Sequence, residues 1–99
     1  MKVIKKLPGE SATIEDIPNT LEALQAEVEG YIEVVPIYDD LVAIVNEEGL
    51  LKGMPLNIRV RGYHLFGPVI LAGVDGEEFT DVPESIRFTF KPVKTAQTE

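Results

Sequence analysis

The chain has 99 residues, which suits a single domain built on one hydrophobic core. It contains no cysteine, which excludes disulfides and thiolate metal sites, and no run of about 20 apolar residues that could span a membrane. A formal net charge of −8 argues against direct binding to nucleic acid or to anionic membranes. The absence of cysteine fits a reducing compartment, and the start MKVIKKLPGES has no apolar region of a secretory signal, so we expect a cytoplasmic protein.

Two short strands are predicted at the start of the chain. Residues 1–6 and 12–17 are rich in β-branched side chains and alternate in polarity, as strands do. Pro8-Gly9 lies between them and signals a turn, so a β-hairpin is the simplest connection. The side chains expected to face the core are Val3, Ala12, Ile14 and Ile17.

One amphipathic helix is predicted after Pro18. Asn19 is the expected N-cap, and Glu22 follows three residues later, where a capping-box acid reaches back. Gly30 is the expected C-terminal cap, because glycine adopts positive φ freely. The apolar face at helical spacing consists of Leu21, Leu24 and Val28.

Two further strands are predicted at residues 31–37 and 41–46. The short separation at Asp39-Asp40 favours an antiparallel hairpin. Residues 50–57 contain glycine and proline and are predicted to form a loop. Its expected apolar anchors are Leu51, Met54 and Leu56.

The last third of the chain contains one almost wholly apolar segment. Residues 67–74 are predicted to form a strand that is central or covered on both faces, with a shorter strand at 58–60 before it. Residues 86–90 alternate and are predicted to form the last strand. The polar residues 91–99 are expected to be a flexible tail.

The order of these elements, β-β-α-β-β-β, predicts an α+β fold. We expect a mainly antiparallel sheet of about five strands, with one amphipathic helix packed on one face. The expected single domain covers residues 1–90.

The run NTLEALQAEVEGYIEVVPI, followed by LVAIVNEEGLLKGMPLN, resembles a family of small proteins of unknown function. The similarity covers roughly residues 1–80 and is clearest over 19–57, with the join EGYIE and the segment ending in Asn57 as its specific pieces. Such proteins are common in phages, prophages and conjugative elements of bacteria. The resemblance implies a mobile-element accessory protein and supplies no catalytic residues.

The sequence has few residues in arrangements that could support catalysis. Ser11 and Ser85 lie far along the chain from His64, and neither stands in a nucleophile elbow. One histidine without cysteine argues against a tetrahedral zinc site, and neither Asp39-Asp40 nor Glu47-Glu48 has calcium-loop spacing. We expect no catalytic residues, no metal and no cofactor, and therefore no enzyme.

The segment NIRVRGYHLFGP, residues 57–68, is the strongest candidate for a binding site. It holds two of the three arginines and the single histidine. It lies within an interval without acids, residues 49–74, which carries +3 from Lys52, Arg59 and Arg61 while the rest of the chain carries −11. In a continuous strand two arginines two residues apart share a face and suit a phosphate or carboxylate, and an aromatic ring adds stacking. The alternative is a solvated strand face. The candidate ligand-binding residues are Asn57, Arg59, Arg61, Tyr63 and His64.

The leading functional hypothesis is a non-enzymatic accessory protein that binds a host protein or a regulatory ligand. One alternative is a small nucleotide- or anion-binding protein that uses the segment from Arg59 to His64, and another is a small hydrolase. Nucleic-acid mimicry by the acidic surface and a homodimer both stay open.

Overall fold

The computed structural model describes residues 1–89, with side chains through residue 86. In this part of the chain there are eight strands and two helices. They are β1 (Lys2–Lys6), β2 (Thr13–Asp16), α1 (Leu21–Val28), β3 (Ile32–Tyr38), β4 (Leu41–Asn46), β5 (Leu56–Val60), β6 (Tyr63–Phe66), β7 (Val69–Asp75), β8 (Glu78–Thr80) and α2 (Glu84–Thr89). Neither helix is long and apolar enough to cross a membrane.

The main sheet is antiparallel throughout and has the order β2-β1-β7-β4-β3. The short strand β8 pairs with the end of β7, on the side away from β4, because Gly73 is paired with both Leu41 and Thr80. Strands β5 and β6 form a separate two-stranded hairpin. The predicted α+β fold is confirmed, with six strands in the main sheet instead of about five.

The two central strands are buried because both faces of the sheet are covered. Helix α1 covers one face, where Leu24 packs in a cluster with Ile44 and Ile70. The β5-β6 hairpin covers the other face, where Leu65 packs in a cluster with Ala43 and Leu71. Every residue of β4 is therefore buried. The prediction that the apolar segment 67–74 is covered on both faces is confirmed.

Helix α1 begins one residue later than the sequence suggested. The N-cap is Thr20, whose Oγ1 accepts a hydrogen bond from Ala23 N at 3.1 Å. Asn19 instead donates from Nδ2 to Phe79 O at 3.0 Å, so it ties the helix start to β8. The prediction of an Asn19 cap was wrong because a tertiary partner takes that side chain. Leu21 is 54% exposed and lies off the buried face.

The end of α1 depends on close packing, not on the backbone freedom of Gly30. Glu29 is the C-cap and has a φ of 66°, so the residue with the left-handed backbone conformation is a glutamate and not a glycine. A Cβ on Gly30 would lie 2.6 Å from Asn46 Nδ2. The predicted cap was therefore wrong by one residue, and Gly30 is needed for the approach of Asn46.

Three residues predicted to be buried are exposed, because tertiary packing determines which apolar side chains are covered. Ile14 was expected in the core but is 51% exposed, since the outer edge strand β2 is less well covered. The expected anchors Leu51 and Leu56 are 86% and 39% exposed, and Leu56 already belongs to β5.

The predicted strand at 86–90 is replaced by α2. The short strand β8 pairs with the end of β7, and Pro83 immediately precedes the helix start at Glu84. Ile86 packs against the cluster on the hairpin side of the sheet. Residue 90 and the predicted tail 91–99 lie outside the described residues.

One ion pair fastens α1 to the sheet and gives a pH-dependent prediction. Lys5 Nζ lies 2.8 Å from Glu27 Oε1, and both side chains are largely covered. Hydrogen bonding to Glu27 raises the pKa of Lys5 above its ordinary value of 10.5. The pair therefore stabilises the fold below that value, and its contribution disappears as the pH rises through the folded-state pKa.

We expect Glu27→Gln to lower the free energy of unfolding by about 1 kcal/mol at neutral pH. Urea denaturation should show this difference at neutral pH and a smaller one above the folded-state pKa of Lys5. Glu22→Gln on the same helix is the control, because Glu22 is exposed. A difference that persists unchanged in strong alkali would contradict the assignment to the ion pair.

Candidate functional site

The candidate segment 57–68 does not form one continuous strand. Arg61 and Gly62 have φ values of 48 and 85 and lie between paired Val60 and Tyr63. Positive φ at both central residues is the mark of a type I′ hairpin turn. The chain therefore reverses at Arg61, and the expectation that Arg59 and Arg61 share one face of a continuous strand was wrong.

Asn57 belongs to the framework of the fold. Its Nδ2 donates to Lys6 O and to Gly67 O, each at 2.7 Å. Its Oδ1 accepts from Lys6 Nζ at 3.1 Å. Burial lowers the pKa of Lys6, whose ammonium group also donates to Leu7 O. The polar atoms of Asn57 are thus engaged in joining the hairpin to β1.

Arg61 lies over an aromatic ring beside a shallow cleft. Its guanidinium carbon is 4.7 Å from the centroid of the Tyr38 ring, a cation–π distance. The cleft has a volume of about 760 Å³, and its lining includes Asp39 and Asp40. Two carboxylates beside the arginine oppose the binding of an anion there.

Arg59 and His64 remain as a cross-strand pair of the hairpin. They are directly paired across the strands, and both are exposed. Their neighbours Ile58 and Leu65 pack toward the sheet, so the pair lies on the outer face of the hairpin. Among the described residues neither Arg59 nor Arg61 forms an ion pair.

Tyr63 and His64 also line a second depression, which we call the strand-edge groove. It lies between the end of the main sheet and β6 and has a volume of about 200 Å³. Its buried lining includes Val35, Val45 and Leu65. The remaining lining residues are Glu33, Asn46, Glu47, Gly49, Leu50, Tyr63, His64 and Phe66.

The groove adjoins the free edge of β3. Within residues 1–89 no strand pairs with the side of β3 that faces away from β4. Glu47 N donates to Tyr31 O at 3.0 Å, so the backbone bonds of Tyr31 point to β4. Since these bonds alternate along an antiparallel pair, the N–H and C=O groups of Ile32 and Val34 point to the free edge.

Pro36 occupies the next outward-pointing position of β3. Proline has no N–H, and natural sheets place it on edges for this reason. A register shift follows between Pro36 and Tyr38. The open ladder of β3 is therefore short and ends at Pro36.

The loop that supplies Glu47 is held by Asn46. Asn46 Nδ2 donates to Val28 O at 3.1 Å and to Glu29 O at 3.2 Å. Its Oδ1 accepts from Glu48 N at 2.7 Å. Asn46 is 4% exposed. One buried side chain thus connects the end of α1, the end of β4 and the wall of the groove.

The comparison with known proteins supports a family assignment. The profile of the family described as a domain of unknown function, DUF3846, matches residues 1–93. The chain belongs to this family. No curated protein and no solved structure shows significant similarity to it.

Membership in DUF3846 confirms the resemblance to small proteins of unknown function. It assigns no chemistry to any residue. In the described part of the chain no group of three or more His, Asp or Glu side chains is placed to hold a metal ion.

Sequence reasoning did not place Glu33, Glu47 and Tyr38 in a candidate site. Glu33 and Glu47 are distant along the chain and meet at the groove through the pairing of β3 with β4. The one signal available was that Glu33 is the single charged residue in the otherwise uncharged run YIEVVPI. Tyr38 gave no comparable signal, because its partner Arg61 comes from the β5-β6 turn.

Proposed function

We propose that this DUF3846 chain is a non-enzymatic accessory protein that binds a host protein through the strand-edge groove and the free edge of β3. The observation that carries the proposal is an apolar-floored groove beside an edge of β3 with which no strand within residues 1–89 pairs. An exposed edge of this kind is a template for pairing with another chain. The phage or mobile-element setting rests on the resemblance of the sequence.

The dimensions of the groove favour a protein partner over a small metabolite. Pockets for drug-sized ligands have volumes of roughly 300–1,000 Å³. The strand-edge groove, at about 200 Å³, is smaller and suits a single side chain. Exposed apolar surface continues beside it, with Tyr31 71% exposed and Leu50 68% exposed. Aromatic and aliphatic surface of this type is common in protein interfaces.

The anion-binding alternative has less support. It required Arg59, Arg61, Tyr63 and His64 to act together. Arg61 lines one cleft, Tyr63 and His64 line the strand-edge groove, and Arg59 is in the lining of neither. Arg61 also shares its cleft with two carboxylates. We therefore do not propose a nucleotide or anion as the ligand.

The proposal is tested by affinity capture from bacterial host lysate. The full chain is compared with a groove variant, Glu33→Lys combined with Glu47→Lys, and with a control, Glu22→Lys combined with Glu77→Lys. Both variants change the net charge equally, and all four carboxylates are exposed. We expect the groove variant to lose a protein that wild type and control capture, as judged by quantitative mass spectrometry.

Repeating the capture at several salt concentrations distinguishes long-range electrostatic attraction from direct contact at the groove. A net charge of −8 attracts basic partners over a distance, and this attraction weakens as salt rises. Equal loss of capture in both variants would show that overall charge, not the groove, selects the partner. Capture that is unchanged in the groove variant would exclude the groove as the site.

A further inference from the structure

We propose that the partner contributes an extended basic segment that adds as a strand to the free edge of β3 and inserts a lysine or arginine side chain into the strand-edge groove. This inference rests on the proposed function and specifies the chemistry of the partner. It is carried by two features, the backbone groups of β3 and the acidic rim of the groove.

The backbone of β3 offers a short, defined ladder. Ile32 and Val34 each present one N–H and one C=O to the free edge, while Pro36 presents only a C=O. When a peptide adds as a strand, its main chain forms hydrogen bonds with such groups. Every second side chain of the peptide then contacts the protein and determines which sequences bind. A short segment that ends opposite Pro36 satisfies every free donor of this ladder.

The groove lies where an alternate side chain of that segment would point. Glu33 and Val35 line it from β3, on the face of the sheet that the hairpin covers. Its floor is apolar, which suits the aliphatic stem of a lysine or arginine. Glu33 and Glu47 supply carboxylates to the cationic head, and among the side chains described, residues 1–86, no Lys or Arg lines the groove.

A second copy of the chain fits the same edge poorly. In antiparallel self-pairing centred on Val34, Ile32 of each copy would face Pro36 of the other, which lacks an N–H. Each copy would also bring a charge of −8 and its own Glu33 to the interface. Charge complementarity therefore favours a basic segment of a different protein.

The inference is tested by selecting peptides that bind the full chain from a random heptapeptide display library. Peptides that also bind the double variant Glu33→Lys, Glu47→Lys are removed by counter-selection. We expect enrichment of peptides with a lysine or arginine between alternating β-branched residues. Replacing that basic residue with methionine in a synthetic peptide should weaken binding by at least about tenfold.

Amide hydrogen exchange locates the bound peptide. The amides of Ile32 and Val34 should exchange at least about tenfold more slowly when the peptide is bound. The amides of Glu33 and Val35 point to β4 and should change much less. Unchanged exchange at Ile32 and Val34 would overturn strand addition.

Three other results would also overturn the inference. The first is a selection that yields no binders, and the second is a set of binders without a basic residue. The third is slow amide exchange at Ile32 and Val34 in the free chain that becomes faster on dilution, because this would indicate pairing with a second copy. If the lysate partner is still lost only in the groove variant, the proposed function stands and this inference alone fails. If that capture does not depend on the groove, the proposed function fails as well.

Discussion

Replacing Ile44 with alanine should lower the free energy of unfolding by about 2–5 kcal/mol. Ile44 is 0% exposed and packs at the centre of the helix-side cluster with Leu24 and Ile70. Its strand is covered on both faces, so the surrounding layers have little freedom to collapse into the cavity. Domains of this size are typically stable by only about 5–15 kcal/mol. Equilibrium denaturation in guanidinium chloride measures the loss.

Ile14→Ala is the matched control for this substitution, because it removes the same atoms from another strand. Ile14 is 51% exposed on the edge strand β2. Its replacement should cost less than about 1 kcal/mol. Equal losses of unfolding free energy at the two positions would contradict the placement of Ile44 in the buried core and of Ile14 on the exposed edge strand.

Replacing Asn46 with alanine should lower the free energy of unfolding by about 2–4 kcal/mol. The substitution removes the Nδ2 bonds to Val28 O and Glu29 O and the Oδ1 bond to Glu48 N. The first two oxygens belong to the end of a helix, where carbonyls lack intrahelical donors. Buried groups that lose their partners carry the full cost of desolvation.

Asn19→Ala is the control for this second prediction. Asn19 is exposed and makes one hydrogen bond, to Phe79 O, so its loss should cost about 0.5–1.5 kcal/mol. Asn46→Asp should destabilise the protein at least as much as Asn46→Ala at neutral pH, since a carboxylate cannot donate to the two carbonyl oxygens. An Asn46→Ala variant as stable as Asn19→Ala would show that Asn46 has no connecting role.

Asn46 also links stability to the proposed site. It lines the strand-edge groove and bonds to the turn that carries Glu47. A variant at Asn46 should therefore weaken partner capture as well as the fold. For this reason Glu33 and Glu47, which are exposed, are the better positions for testing binding separately from stability.

The sequence by itself determined the fold class and the position of most elements. Alternation located β1, and the β-forming runs YIEVVPI and LVAIVN located β3 and β4. The almost wholly apolar run 67–74 marked β7 as a strand that is central or covered on both faces. Helical spacing of Leu24 and Val28 located α1. These patterns are reliable because they reflect burial, which acts on every residue of an element.

Only the tertiary structure decided the site. The hairpin turn at Arg61-Gly62 was missed because such turns usually show Asn-Gly or Asp-Gly, and this turn carries an arginine at a positive φ. The helix caps were misplaced because Asn19 and Gly30 are committed to contacts with β8 and Asn46. The strand-edge groove joins Glu33, Glu47 and Tyr63 from three strand ends, and no local pattern encodes a meeting that depends on how the layers pack.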